Sequence, residues 1–498
     1  MRSIARTAIA IAISVGACGG RPEPGGVGTS TSVDTSTSAD TSTSTSTSTS
    51  ALWAPAPAHA PPERPAEVRW IAFGGVEGPW ANELSIEDEL MLATRRLGPG
   101  GVLLFAGGPG SHGVQVADPS PRGDALLRTL GELLDARGAR DAHYQPLRLV
   151  PHGPGTRAGL TDALAGALVQ TGPRLQIWIA GHGGPGETAR DVIVATWDND
   201  ALSVADLEAA LAGTRPFRIV QTTCFGGGFA EAVLTHAARA CGLFATTWDL
   251  EASGCDPDPL RARESYGAHL LRALDTPGAD LTGDGVIGLS EAHARATVAA
   301  PGFEVPILSS QAWLERALDA ERATPGPPGS EYDWLLEERA ILGALLDRLA
   351  LGASELEARF DALRAEESEL TEVLNEAAEK ADRAHGAARM AVLARWPMLD
   401  DPWHPDFSHV VTTERAAIEG FLGTSSLVAD WREAVSAADE ARAVLDALKV
   451  RFAPVDRAFI ARRTLERATF ARNAPDGEAA HEIWATFQLL RQCEREAL

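Results

Sequence analysis

Between residues 67 and 310, short apolar runs alternate with amphipathic helical stretches, and that alternation leaves few folds open. VRWIAF (68–73), VLLFA (102–106), LRLV (147–150), LQIWIAG (175–181), FRIVQTT (217–223) and GLFATTW (242–248) read as strands. DVIVATW (191–197) is a further apolar run that leads into an Asn199-Asp200 turn. Hydrophobicity that is continuous, rather than alternating, belongs to strands covered on both faces. Helical patterns fill the intervals, at Ser85 to Arg96, ALLRTLGELLDA, TDALAGALV, VADLEAALA (capped by Ser203 and Asp206) and FAEAVLTHAARA. The expected class is α/β, with a mostly parallel sheet between helical layers.

Functional side chains in open sheets of this kind gather beyond the carboxyl ends of the strands. His182 stands just past the end of LQIWIAG, and Cys224 just past FRIVQTT. With both strands parallel, the two side chains emerge on one edge, where an imidazole can hold a thiol as thiolate. Gly183 and Cys224 are the expected backbone N–H donors to an oxyanion. Gly226 to Gly228 open the next helix, whose N-terminal dipole also favours a thiolate. His112-Gly113 and His152-Gly153 repeat the dipeptide, but neither is followed by a strand that ends in cysteine. No CxxC or HxxxH spacing accompanies His182 or Cys224, so no zinc is expected, and no cofactor is needed for catalysis.

LQIWIAGHGG followed by RIVQTTCFGGGF resembles the caspase-like cysteine peptidases: caspases, legumains, gingipains and clostripain. The compact spacing is most similar to the legumain branch. The resemblance implies a caspase-like three-layer sandwich over 65–312 and a cysteine endopeptidase with Cys224 as nucleophile and His182 as proton shuttle. A protein or peptide is then the substrate. Phe225-Gly226 stands where family members often carry Ser-Gly or Arg-Gly. WANELSIEDEL (80–90) has no basic residue to shape the first specificity pocket. A preference for Asp or Asn is therefore not carried over. Transpeptidation by the same acyl-enzyme is a related reading. An inactive scaffold that binds a protein partner is the competing one.

DLTGDGVIGLSE (280–291) fits the calcium loop of an EF-hand. Asp280, Thr282 and Asp284 take the first, third and fifth positions, Val286 ligates through its carbonyl, and Glu291 closes the twelfth. The plainer reading is a Gly-Asp-Gly turn with Ser290 capping the next helix. Cys241 and Cys255 flank GLFATTW, and export permits a disulfide between them, although the strand sets them apart. Trp248 and Asp249, at the end of that strand, are candidates to line a substrate pocket.

The N-terminus reads MRSIARTAIAIAISVGAC: early arginines, then an apolar stretch too short to span a membrane, then small residues. Val15-Gly16-Ala17-Cys18 resembles a bacterial lipobox, which implies a signal peptide over 1–17 and lipidation of Cys18; an ordinary signal peptide with an incidental cysteine is the alternative. Residues 18–64 pass through a TSTSTSTS tract to APAPAHAPPERP, a composition that cannot bury a core. As a tether it spans roughly 40 Å root-mean-square. Export and a lipid anchor on a bacterial membrane are expected. The net charge of −24 argues against nucleic acid as a partner.

TPGPPGSEYD separates an all-α region over 325–498. Leu335, Leu342, Leu349, Leu356, Leu363 and Leu370 recur every seventh residue, but Gly352 interrupts them, which favours an antiparallel bundle over a long coiled-coil dimer. By the resemblance to legumains this region covers and inhibits the peptidase domain; a partner-binding bundle is equally physical. RWPMLDDPWHPDF, with His404, and nearby His409 form a connector.

Overall fold

A computed structural model describes residues 62–117, 124–134, 142–255, 265–318, 335–401, 404–473 and 479–498. The signal peptide, Cys18, nearly all of the tether and the break at 324–333 lie outside the described residues.

The chain first lays down strand β1 (Trp70–Gly75), helix α1 (Leu84–Leu97) and strand β2 (Gly101–Phe105). A small hairpin, β3 (His112–Ala117) with β4 (Ala142–Pro146), brackets α2 (Ala125–Leu134). Helix α3 (Arg157–Leu168) leads to β5 (Leu175–Gly181). Next comes a three-stranded antiparallel sheet of β6 (Gly183–Gly184), β7 (Ile193–Thr196) and β8 (Asp200–Ser203). Helix α4 (Val204–Ala210), β9 (Phe217–Gln221), α5 (Ala230–Leu234) and β10 (Ala240–Phe244) follow. The α/β body closes with α6 (Tyr266–Ala273), α7 (Leu289–Ala299), β11 (Ile307–Leu308) and α8 (Ser309–Ala317).

The main sheet has the order β11-β10-β9-β5-β1-β2, parallel throughout except for the β10–β11 pair. Side chains alternate between its two faces. Ile71, Phe73, Ile177, Ile179 and Ile219 join residues of α3, α4 and α5 in one core. Trp70, Ala72, Trp178, Ala180 and Val220 join α1, α6 and α7 in the other. Both faces are thus buried, and β1 and β9 are buried at every residue, which explains the apolar run of β1 and leaves β9 with a buried Arg218 and Gln221. The order reverses at β1, whose neighbours are β2 on one side and β5 on the other, and a crevice opens at such a switch point.

Two local expectations change. LRLV is not a strand, because the backbone N–H groups of Arg148 and Leu149 donate to Glu87, at 2.5 and 3.2 Å, instead of to a neighbouring strand. FAEAVLTHAARA is not one helix: a 3-10 turn over Gly226–Phe229 precedes the five-residue α5.

The C-terminal region is helical. Its helices are α9 (Leu336–Leu349), α10 (Leu356–Leu393), α11 (Phe407–Thr413), α12 (Arg415–Thr424), α13 (Ser426–Arg472) and α14 (Ala479–Arg495). The leucine repeat breaks at Ala350, in the left-handed region, and Gly352 lies between α9 and α10. Helices α10 and α13 lie antiparallel: Arg462 meets Glu357, Arg451 meets Glu366, and Phe360 stacks on Phe459 at 4.1 Å between ring centroids. Helix α14 then returns to the α/β body, where Cys493 is bonded to Cys241 of β10 with a Cα separation of 5.9 Å. The Cys241–Cys255 disulfide that export would permit, which the sequence left open, is therefore not formed. Cys241 lies at the amino end of β10, toward α14, whereas Cys255 lies in the loop past its carboxyl end. No described helix is long and apolar enough to cross a membrane.

Candidate functional site

Strands β5 and β9 are hydrogen-bonded neighbours in parallel, so their carboxyl ends share one edge. His182 follows β5 directly and is fixed through its backbone: its N–H donates to Gly75 at the end of β1 (2.8 Å), and its carbonyl accepts from Ala195 of β7 (3.1 Å). Beyond β9, the Thr222 N–H donates to Ile179 of β5 at 2.8 Å, carrying the chain one step further along the same edge to Cys224. The two turns touch. A Cβ added to Gly183 would fall 2.0 Å from the Cys224 carbonyl oxygen, so only glycine fits there. Gly228 is packed in a similar way, its α-carbon against the Ala189 carbonyl. This glycine run serves close packing more than flexibility.

The His182 imidazole is buried, with 2 % exposure, and its Nε2 lies 2.8 Å from the carbonyl oxygen of Ala81, in the segment that follows β1. A carbonyl only accepts, so Nε2 donates, and in the neutral ring the lone pair sits on Nδ1. Glu83 Oε2 stands 3.7 Å from Nε2 and favours the imidazolium. Ala81 and Glu83 thus fix the tautomer and support a positive charge on the ring.

Cys224 is 1 % exposed. The Ala252 N–H donates to its Sγ at 3.3 Å, and Sγ lies 3.5 Å from the Ala252 carbonyl oxygen. Phe225 adopts a left-handed conformation, φ 57°, and its N–H donates to Leu250 at 2.8 Å. The segment from Leu250 to Cys255 therefore lies over the thiol. The helix dipole invoked at Cys224 is corrected by the structure: a 3-10 turn and five α-helical residues carry little of it.

Sequence reasoning missed Cys255 and Glu83. One ligand atom each from Glu83, His182 and Cys255 lies within 4.8 Å of the other two. Cys255 is partly exposed, and its Sγ sits 3.6 Å from the Gly181 carbonyl. The signal available was topological: a third loop, DLEASGC, leaves the sheet at the same edge as His182 and Cys224.

Glu89 has a role that the helical pattern at Ser85 to Arg96 does not disclose. Glu87, Asp88 and Glu89 are buried, so they do more than complement a helix dipole. Glu89 accepts from Thr222 Oγ1 (2.5 Å), Trp178 Nε1 (3.0 Å) and Ser265 Oγ (2.9 Å), and burial raises its pKa. It braces the ends of β5 and β9 from behind. Glu87 and Asp88 bind Arg148, each at 2.7 Å, so the fold brings to the segment at 80–90 a basic residue that its own sequence lacks. Its Nε and Nη2 are already committed to these carboxylates.

His152 is a backbone brace, its Nδ1 accepting from the Leu103 N–H at 3.1 Å. Asp249 lines a cavity of about 140 Å³ between the loop after β10 and helices α10 and α13; Trp248 is not among its lining residues.

Helices α6 and α7 flank the 280–291 loop, and Ile287 packs on the core. Asp280 accepts from the N–H groups of Gly283 and Gly285, at 2.7 and 2.9 Å, and these bonds lower its pKa. Asp284 accepts from Val286 N–H at 2.8 Å. Glu291 is buried and accepts from the N–H groups of Leu281, Thr282 and Gly288, each at 2.9 Å. Thr282 Oγ1 lies 3.3 Å from Asp280. The carboxylates of Asp280, Asp284 and Glu291 thus serve the loop's own backbone, and they do not converge within 4.8 Å of one another.

No family model matches the chain, and no curated protein matches it.

Proposed function

We propose that this chain is an exported, lipid-anchored cysteine endopeptidase of caspase-like architecture, working through Cys224 and His182. The observation that carries the reading is the placement of His182 and Cys224 at adjacent carboxyl ends of parallel strands, with Gly183 against the Cys224 backbone. The orientation of the imidazole adds to it. With Nε2 held by Ala81, Nδ1 is the atom that accepts the thiol proton and later returns it to the leaving amine. Cys224 Sγ attacks the scissile carbonyl, the amine departs, and water resolves the acyl-enzyme. The N–H groups of Gly183 and Cys224 serve the oxyanion. Glu83 stabilises the imidazolium that forms in the first step.

The Ala252 segment must leave Cys224 before a substrate reaches the sulfur, so the form described here is latent. That same burial favours the second reading, a binding scaffold on an inactive peptidase fold. A peptide-library cleavage assay separates them. Endopeptidase activity that disappears in Cys224→Ala supports the first reading. No cleavage under any condition, with the wild-type chain folded, supports the scaffold. An added amine that diverts products into ligated peptides marks transpeptidation. Calcium at 280–291 is a separate proposal, in which an ion draws Asp280, Thr282, Asp284, Val286 and Glu291 from their backbone partners; a melting temperature unmoved by calcium and chelator would remove it.

A further inference from the structure

We propose that Glu83, His182 and Cys255 form a binding site for a borderline-soft divalent cation of the zinc class, and that occupancy withdraws His182 from Cys224. The metal-binding part stands on geometry alone; the inhibitory part rests on the peptidase reading above.

The three residues come from separate segments: the turn into α1, the residue after β5, and the loop after β10. No spacing rule finds such a set in the sequence, which is why the missing CxxC and HxxxH patterns say nothing about it. The ligand atoms already lie within 4.8 Å of one another. Tetrahedral zinc, with bonds of about 2.0–2.3 Å, needs ligand separations of about 3.3–3.8 Å, so small side-chain movements close the site. Glu83 Oε2 and His182 Nε2, at 3.7 Å, are already at that separation. Thiolate, imidazole and carboxylate are the donors that this class of ion takes, and the fourth position falls to water or substrate. A hard cation such as calcium is disfavoured by the sulfur and the nitrogen.

The balance is simple. Glu83 enters as carboxylate, His182 as the neutral ring, and Cys255 loses its thiol proton to solvent. Two negative ligands then neutralise the divalent charge in a place where His182 is buried. Either ring nitrogen serves, and either one disables the base. Ligation at Nδ1 removes the lone pair that takes the Cys224 proton. Ligation at Nε2 displaces the proton shared with Ala81 and fixes the opposite tautomer. Cys255 also tethers its own loop, the one whose Ala252 lies on Cys224. Metal binding therefore holds the cover closed while it occupies the base.

The test uses the full chain with cobalt(II) as spectroscopic probe and zinc as competitor. Wild type is expected to take up cobalt with a thiolate charge-transfer band and the visible absorption of a tetrahedral site, saturating at one equivalent and bleached by zinc. Cys255→Ser abolishes the thiolate band. Glu83→Gln weakens zinc binding by more than the roughly 10–100-fold that loss of an outer partner costs. Cys224→Ala keeps band and affinity. An absent band in wild type, or a band that survives Cys255→Ser but is lost in Cys224→Ala, overturns the site. Thermal unfolding in chelator shows that each variant is folded. In the second arm, zinc suppresses alkylation of Cys224 in wild type but not in Cys255→Ser. Equal suppression in both overturns the regulatory role, whereas no alkylation of Cys224 in any metal-free protein counts against the peptidase reading and leaves the cobalt result standing.

Discussion

Gly183 is where the two halves of the candidate dyad meet. Its contact with the Cys224 carbonyl leaves no room for a methyl group, so Gly183→Ala must push the two turns apart. Overpacking of this kind costs about 1–3 kcal/mol, and urea denaturation is expected to show a loss in that range together with loss of any Cys224 reactivity. A stability change within experimental error would mean that the turns are not in contact. His182 carries the second expectation at this scale. If its imidazole activates Cys224, His182→Ala lowers the alkylation rate of Cys224 by more than tenfold near neutral pH, and raising the pH restores much of it, because hydroxide replaces the missing base. His182 and Cys224 were legible in the sequence because each ends an apolar run with a glycine at or near its flank. Cys255, Glu83 and Ala81 were not, because their only link to His182 is through space. Glu89 was hidden by its neighbours: three consecutive acids look like a solvated helix start, and nothing in the sequence shows Trp178, Thr222 and Ser265 closing around one of them.

Strands β1, β2, β5, β9 and β10 and most helices of the α/β body follow from the apolar runs, since burial on both faces favours hydrophobic residues, whereas β3, β4, β6, β8 and β11 carry no such run. LRLV departs from that pattern because a side chain, Glu87, competes successfully for its backbone N–H groups. The loop after β10 behaves as an element in its own right. It lies on Cys224 through Ala252 and meets α13 through the Glu251–Lys449 ion pair at 3.1 Å. Asp456 of α13 lines the cavity between them. Burial, with Asp249 and Glu367 nearby, pushes its pKa up to about 7, while Arg364 and Arg457 pull it down. The folded value lies above the ordinary value of 3.8, so between about pH 4 and 7 the folded chain holds a proton that the unfolded chain has released. The Asp456 contribution to stability is therefore greatest at low pH and is lost as pH rises toward 7. Asp456→Asn is expected to flatten that part of the stability–pH curve in denaturant titrations at a series of pH values. An unaltered slope would place Asp456 in water.

At the scale of the whole molecule, the helical region is fastened to the α/β body and not merely appended to it. Arg457 of α13 is buried and donates to the carbonyls of Thr297, Ala300, Gly302 and Glu304 around the end of α7. Arg491 of α14 is buried among Glu337, Glu338 and Glu494, and Arg218 of β9 reaches Glu496 and the Cys493 carbonyl. The disulfide closes a loop with a sequence separation of 252. Removing it as Cys241→Ser with Cys493→Ser is expected to cost about 2–5 kcal/mol, read by urea denaturation against wild type; an unchanged midpoint would deny the bond. The resemblance to legumains implied a helical region lying over the peptidase domain, but the bonds that fasten it were not legible in advance. A Pro/Gly break suggested a separate bundle, and a cysteine near the far terminus gave no sign of its partner, because disulfide partners are set by the fold and not by spacing. The central claim is that this assembly holds a reactive thiol at Cys224. Intact-mass analysis after treatment with an acyloxymethyl-ketone probe tests it most directly, on wild type, Cys224→Ala, Cys255→Ala and His182→Ala. The account predicts a single adduct on wild type and on Cys255→Ala, absent from Cys224→Ala and strongly slowed in His182→Ala. An adduct that persists in Cys224→Ala, or none on the folded, metal-free wild-type chain over a time long enough for the Ala252 segment to open, would contradict it.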